Sequence, residues 1–146
     1  MPGRATDRAS GECAVMLTEG QRWKIRLHSH WVVIPGAVPV PIAAVGKAAL
    51  DADGNVSGTE SRSVGGGFAD ETFTGTYAVN PDCTGTTTLN FYESGVLVRT
   101  TVLSIVFDDH EREIRMVQKS LQLPNKAFLP VVITVEARRI STEDED

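Results

Sequence analysis

Four residues have the types and positions that acid–base chemistry or the orientation of a charged guest requires: Glu93, Arg99, Glu60 and Tyr77. Glu93 continues the alternation of Leu89 and Phe91, and Arg99 falls in register with Leu97, Thr101 and Leu103. Glu60 sits among Val56, Gly58 and Val64, on a segment whose facing the pattern leaves open. A carboxylate enclosed by such neighbours is desolvated, its pKa rises, and it can serve as an acid or a base, while an Arg can hold an enolate or carboxylate. Tyr77 joins a large contact area to a hydrogen-bonding hydroxyl. If Glu93 and Arg99 both point inward they neutralise each other, and any of these charges pointing outward is an ordinary surface group.

The elements that must position them are strands. Thr72 to Tyr92 carries two runs of Thr, aromatic and β-branched residues around Asn80-Pro81-Asp82-Cys83-Thr84-Gly85, the composition of a β-hairpin and its turn. Phe73, Gly75, Tyr77 and Val79 share one face of its first arm, because side chains alternate along a strand. From Arg22 to Val33, Trp23, Ile25, Leu27, Ser29, Trp31 and Val33 alternate with Lys24, Arg26, His28 and His30. Ile42 to Leu50, a turn at Asp51 to Asn55, and Val56 to Val64 form a second hairpin, and Gly65-Gly66-Gly67 reads as a flexible connection. Turns at Glu93-Ser94-Gly95, Asp108 to Glu111 and Pro124-Asn125 divide the rest into Val96–Phe107, Arg112–Leu123 and Phe128–Ile140.

These segments make eight antiparallel strands, with no run of apolar residues at helical spacing. Such a set closes into an up-and-down barrel, or, as the alternative, packs as a β-sandwich. The alternation nominates Trp23, Trp31, Phe73, Tyr77, Leu89, Phe91, Leu103, Ile114, Met116 and Ile133 for the inward face, with Gln118 following Ile114 and Met116. A ligand-holding lumen needs a mostly apolar wall with a few polar groups. Ordinary core packing accounts for the same residues equally well.

Length and charge narrow the classes. A chain of 146 residues fits one domain, here read as 12–140 between a flexible arm at 1–11 and an acidic tail at 141–146. A net charge of -5 opposes nucleic-acid and anionic-membrane surfaces. The apolar run Val32 to Val45 is broken by Pro35, Pro39 and Pro41 and is too short to span a bilayer, and Pro35 to Pro41 within it reads as an extended loop, either a lid or a plain crossing. With no export signal in view, the expectation is a soluble cytoplasmic protein, export remaining open if a leader was removed. Cys13 and Cys83 have no metal-ligand spacing and read as free thiols, a single disulfide being the alternative. His28 and His30 share a face with Lys24 and Arg26, which opposes a metal; Asp51-Ala52-Asp53-Gly54-Asn55 lacks the distal carboxylate of a calcium loop, with Arg62 in its place. No metal and no cofactor are expected.

Three stretches carry a resemblance: Ala44-Val45-Gly46-Lys47-Ala48, Asp53-Gly54-Asn55-Val56-Ser57-Gly58, and Gly75 through Thr86. In order and spacing they resemble small bacterial lipocalin-like (calycin) barrels, and in layout the pattern is similar to the barrels of allene oxide cyclases and dirigent proteins. That resemblance implies a cavity for a small hydrophobic molecule, and it extends to small cyclases that close rings of natural products, including Diels–Alder-type enzymes. No catalytic motif of those cyclases matches here residue by residue. The expected function is therefore a barrel enclosing a small hydrophobic molecule, as a cofactor-independent cyclase or isomerase, with a non-catalytic carrier or a filled barrel that binds protein as alternatives. A homodimer is compatible with the surface.

Overall fold

The computed structural model describes residues 22–32, 38–108 and 113–139, with side chains for 38–107 and 113–139. The arm at 1–11, the tail at 141–146, Cys13, His110 and residues 35–37 of the proline-rich loop lie outside the described residues. Among the described residues there are nine strands: β1 (Arg22–Val32), β2 (Val40–Leu50), β3 (Asn55–Val64), β4 (Gly67–Val79), β5 (Thr84–Glu93), β6 (Val96–Asp108), β7 (Glu113–Gln122), β8 (Phe128–Leu129) and β9 (Val131–Arg139). All pairings are antiparallel, and the ring β1-β2-β3-β4-β5-β6-β7-β9 returns to β1, so eight strands close a barrel. The sandwich alternative is excluded by that closure. The ninth strand is the two-residue β8, which pairs only with β7.

The turns follow from residue chemistry. Between β2 and β3, Asp51 Oδ1 accepts hydrogen bonds from the backbone of Asp53 and Asn55, both at 2.9 Å, so this carboxylate caps its own turn. Between β4 and β5, Asp82 accepts from the Thr84 backbone at 3.1 Å and from its hydroxyl at 2.7 Å. Ser94 and Gly95, both at positive φ, make the two-residue turn that suits strand twist. Gly65 and Gly66 also take positive φ, so the connection expected to be flexible is a tight turn.

Three segments depart from expectation. β2 starts at Val40 and includes Pro41, opposite Trp31, so the extended loop ends earlier than the prolines suggest. The last strand is split at Pro130, which has no N–H to continue the ladder. Cys83 is disulfide-bonded, which corrects the reading of free thiols; Cys13 is the only other cysteine in the sequence.

The core is built by small residues opposite large ones. Phe73, 1% exposed, lies opposite Gly58 on β3 and Phe91 on β5, its ring 5.2 Å from that of Phe91. A Cβ at Gly58 would collide with the Phe73 ring and with the Lys47 carbonyl. Gly58→Ala is therefore expected to destabilise the barrel by about 1–3 kcal/mol, the range for overpacking. Urea unfolding measures this, and an unchanged midpoint would contradict the packing described.

Candidate functional site

Cross-strand register brings the charged residues together. Glu60 on β3 lies directly opposite Glu71 on β4, and Gly46 on β2 faces Glu60 from the other side. Two carboxylates placed opposite one another repel unless cations intervene. Arg99, opposite Phe91 on β6, supplies one: its Nη1 and Nη2 donate to the two oxygens of Glu71 at 2.8 and 2.7 Å, and Nη2 also donates to Glu60 Oε2 at 3.1 Å. The guanidinium carbon stacks 4.1 Å from the centre of the Phe91 ring. Arg62, two residues beyond Glu60, supplies the second cation, with Nε donating to Glu71 at 3.1 Å, Nη2 to Glu93 at 2.7 Å and Nη1 to the Gly67 carbonyl at 2.8 Å.

Three carboxylates thus share two guanidiniums, and one negative charge is left over among the described residues of the cluster. The excess settles on Glu60. Only 8% exposed, Glu60 is pushed up to about 7 by burial; the nearby Arg99 opposes this, and a hydrogen bond with Glu71 adds to it. Burial would also raise Glu71, 2% exposed, but its hydrogen bonds with Arg99 and Glu93, the Arg99 charge and a hydrogen bond with Arg62 override that and hold it at about 2. The pair is two acids whose environments drive their protonation apart, the arrangement found where one group must carry a proton at neutral pH.

The cluster borders an internal cavity of about 70 Å³, whose walls include Glu60, Arg99, Thr101, Phe91, Leu103, Met116, Gln118 and Ile133. A second, wholly apolar cavity of about 50 Å³ lies further along the lumen against Val56, Tyr77, Ile105 and Ile114. Phe73, Leu89 and Met116 border both cavities. A much larger open concavity of about 1180 Å³ runs over the outer faces of β2 to β5, along Lys47, Thr59, Ser61, Asp70 and Thr72. It is a surface groove, and it touches the charged cluster only at Glu60 and Glu71, whose carboxylates pair with Arg99 on the lumen side.

The ladders around the lumen open at two places among the described residues: between β1 and β2 from Leu27 to His30, and between β7 and β9 beyond Val117. β7 pairs with β9 only from Glu113 to Val117, then diverges to meet β8. Gln118, Leu121 and Ile133, which flank the unpaired part, line the 70 Å³ cavity, as does Val135, paired with Met116. A guest reaching the lumen there breaks no strand–strand hydrogen bond.

Of the residues nominated from the sequence, Phe73, Phe91, Leu103, Ile114 and Ile133 are buried in the lumen, and Met116 and Gln118 line it partly buried. Glu60 and Arg99 are brought together. Glu93 joins them from the rim, with its side chain 31% exposed, and pairs with Arg62; the expectation that Glu93 and Arg99 neutralise each other is corrected. Tyr77 is not part of this group. Its hydroxyl donates to the Asp51 carbonyl beside the β2–β3 turn, at the other end of the barrel, and burial raises its pKa, with Asp51 and Asp53 adding to the shift. For Trp23 and Trp31 the structure gives backbone register only, opposite Ala48 and Pro41 on β2; their side chains lie outside what is described. A register shift between Leu27 and Ser29 interrupts the alternation that placed both on one face.

Two members of the cluster were missed. Glu71 precedes Phe73 by two residues, so extending the hairpin face one step back finds it. Arg62 shares the Glu60 face by the same rule. Thr101 also belongs here: it is 3% exposed, and its hydroxyl is buried without a hydrogen-bond partner.

Closure of eight antiparallel strands around this lumen defines the chain as an up-and-down β-barrel. It resembles a redesigned β-barrel, mFAP1, bound to DFHBI, with TM-score 0.55 and 12% identity over 88% of this chain and 99% of that one. It is also similar to EF1p2_mFAP2b bound to DFHBI, with TM-score 0.58 and 11% identity over 88% of this chain and 98% of that one. At these identities the likeness is one of fold. The sequence matches no family model and none of the curated proteins. No helix among the described residues is long and apolar enough to cross a membrane.

Proposed function

We propose that the barrel binds a small, largely apolar molecule in its lumen, with the guest's polar atom against Glu60 and Arg99. One observation carries this reading: an internal cavity, apolar on most sides, ends on a charged cluster that is expensive to bury. Hydrophobic residues of similar volume in place of buried ion pairs are often neutral or stabilising. Five ionisable side chains inside a barrel of this size are therefore poorly explained by folding alone. The similar barrels bound to DFHBI support the reading, since the same architecture holds a small molecule there. The cavities are small, so a guest larger than a few carbons requires Met116 to swing aside and join them, a movement its unbranched side chain permits.

Saturable shifts of the Leu103, Met116 and Ile133 methyl resonances on adding phenol are the expected result, weakened in Val135→Leu, which adds one methylene to the cavity wall. Absence of any lumen shift up to the solubility of phenol would contradict the proposal.

A catalytic reading rests on Glu60, which at neutral pH is divided between its two protonation states and can give or take a proton. It fits a cofactor-independent isomerase or ring-closing cyclase in which the lumen holds one reactive conformer and Glu60 moves the proton. Exchange of the α-protons of a small ketone in D₂O is the assay: about 10²-fold acceleration or more, lost in Glu60→Gln, supports it, and exchange at the buffer rate removes it and leaves a carrier. The disulfide at Cys83 supports an oxidising compartment rather than the cytoplasm.

A further inference from the structure

The cluster says more about the guest than that it is small. Every charge it could offer to an anion is already engaged: Arg99 is held in two-pronged fashion by Glu71 and also bonds Glu60, and Arg62 is divided among Glu71, Glu93 and the Gly67 carbonyl. The carboxylates outnumber the guanidiniums by one, so an organic acid entering this lumen meets net negative charge when Glu60 is ionised, a neutral cluster when Glu60 is protonated, and in either state no unengaged cation among the described residues. A guest bringing a positive charge meets the reverse.

A second observation is independent of that count. The Thr101 hydroxyl is buried, lines the same cavity as Glu60 and has no partner. Orphaned buried polar groups are rare and costly. This one can accept a hydrogen bond from a guest standing beside Glu60.

We propose, building on the lumen-binding reading above, that Glu60 and Thr101 form a subsite for a small primary ammonium group, with the guest's hydrocarbon part against Leu103, Met116 and Ile133. The ammonium has three donors, which suits one carboxylate and one hydroxyl acceptor. Its charge takes the place of the proton that Glu60 otherwise carries, so the cluster stays neutral while all its carboxylates are ionised. Binding therefore releases a proton from Glu60 near neutral pH.

The test titrates n-butylamine, 1-butanol and butyrate, equal in chain length and different in charge, into the full chain at pH 7, followed through the methyl resonances of Leu103, Met116 and Ile133. Butylamine is expected to bind about tenfold or more tightly than the other two, the range of a charge-assisted hydrogen bond. Glu60→Gln, which keeps the shape and removes the charge, is expected to abolish that preference. Thr101→Val, nearly isosteric, is expected to weaken butylamine severalfold while its thermal midpoint holds or rises, because an unsatisfied hydroxyl is removed. A merely structural role for Thr101 would not give that split. Equal or tighter binding of 1-butanol or butyrate overturns the amine assignment and leaves the lumen reading intact. Lumen resonances unmoved by all three compounds overturn both, and butylamine shifts confined to surface residues overturn the subsite.

Discussion

Arg99→Met is expected to lower the unfolding free energy by about 3–5 kcal/mol at pH 7.5, the usual cost of removing one partner from a buried charge network. Methionine fills much of the space and keeps contact with the Phe91 ring, so the loss reports the charge rather than a cavity. Glu71 loses a two-pronged partner, and Glu60 loses its ion pair with Arg99. The penalty is expected to shrink at pH 5, where Glu60 already carries its proton. Arg62→Met is expected to cost less at either pH, because Arg62 makes one bond to Glu71 where Arg99 makes two, and its other carboxylate, Glu93, lies closer to solvent with its side chain 31% exposed. Urea unfolding of the variants at both pH values measures the difference, and a loss for Arg99→Met below about 1 kcal/mol at pH 7.5 would show the network to be unimportant for the folded state.

The second large effect is the pH profile of stability. Glu60 is raised from 4.5 to about 7 on folding, so the folded state binds its proton more tightly than the unfolded chain does. That contribution is fully present below pH 4.5 and is lost as pH rises through 7, by about 3 kcal/mol in total. Glu71, lowered from 4.5 to about 2, acts in the opposite sense: its contribution is present above pH 4.5 and is lost as pH falls toward 2. Together they place the cluster's greatest contribution in mildly acidic solution. The charged groups facing Glu60 are Arg99, Glu71 and Arg62, with Glu93 behind Arg62. In Glu60→Gln the alkaline loss disappears, so the variant is expected to gain about 3 kcal/mol on wild type between pH 4.5 and pH 8. Parallel profiles for the two proteins would contradict this.

The barrel was legible because its signals are local. Alternation in Thr72 to Tyr92, the turn residues at Asp51 to Asn55 and the pair Ser94-Gly95 each specify strand or turn within a few residues, and short turns between consecutive strands leave little choice of topology. What escaped is where that rule is broken. Bulges between Leu27 and Ser29, between Phe91 and Tyr92, and between Val102 and Leu103 each offset the alternation by one residue. The last of these lets Gln118 and Leu121, an odd number of residues apart, line the same cavity.

The site was half legible for a different reason. Glu60, Glu93 and Arg99 stand out as charges inside apolar alternation. Their pairing depends on register between strands 28 to 39 residues apart in sequence, which no short-range pattern records. Glu71 lies just outside the stretch that most clearly announces a hairpin, and Arg62 draws notice only as the residue that spoils a calcium loop.

A carboxyl carbon titration by ¹³C NMR tests the central claim most directly, with Glu60 and Glu71 assigned by comparison with Glu60→Gln and Glu71→Gln. A lumen holding one proton among three acids predicts that the Glu60 signal moves with a midpoint near pH 7 while Glu71 stays ionised down to about pH 2. If instead both signals titrate together with the exposed carboxylates near pH 4 to 5, the cluster is solvated and open, and the account of the lumen as a proton-carrying binding site is wrong.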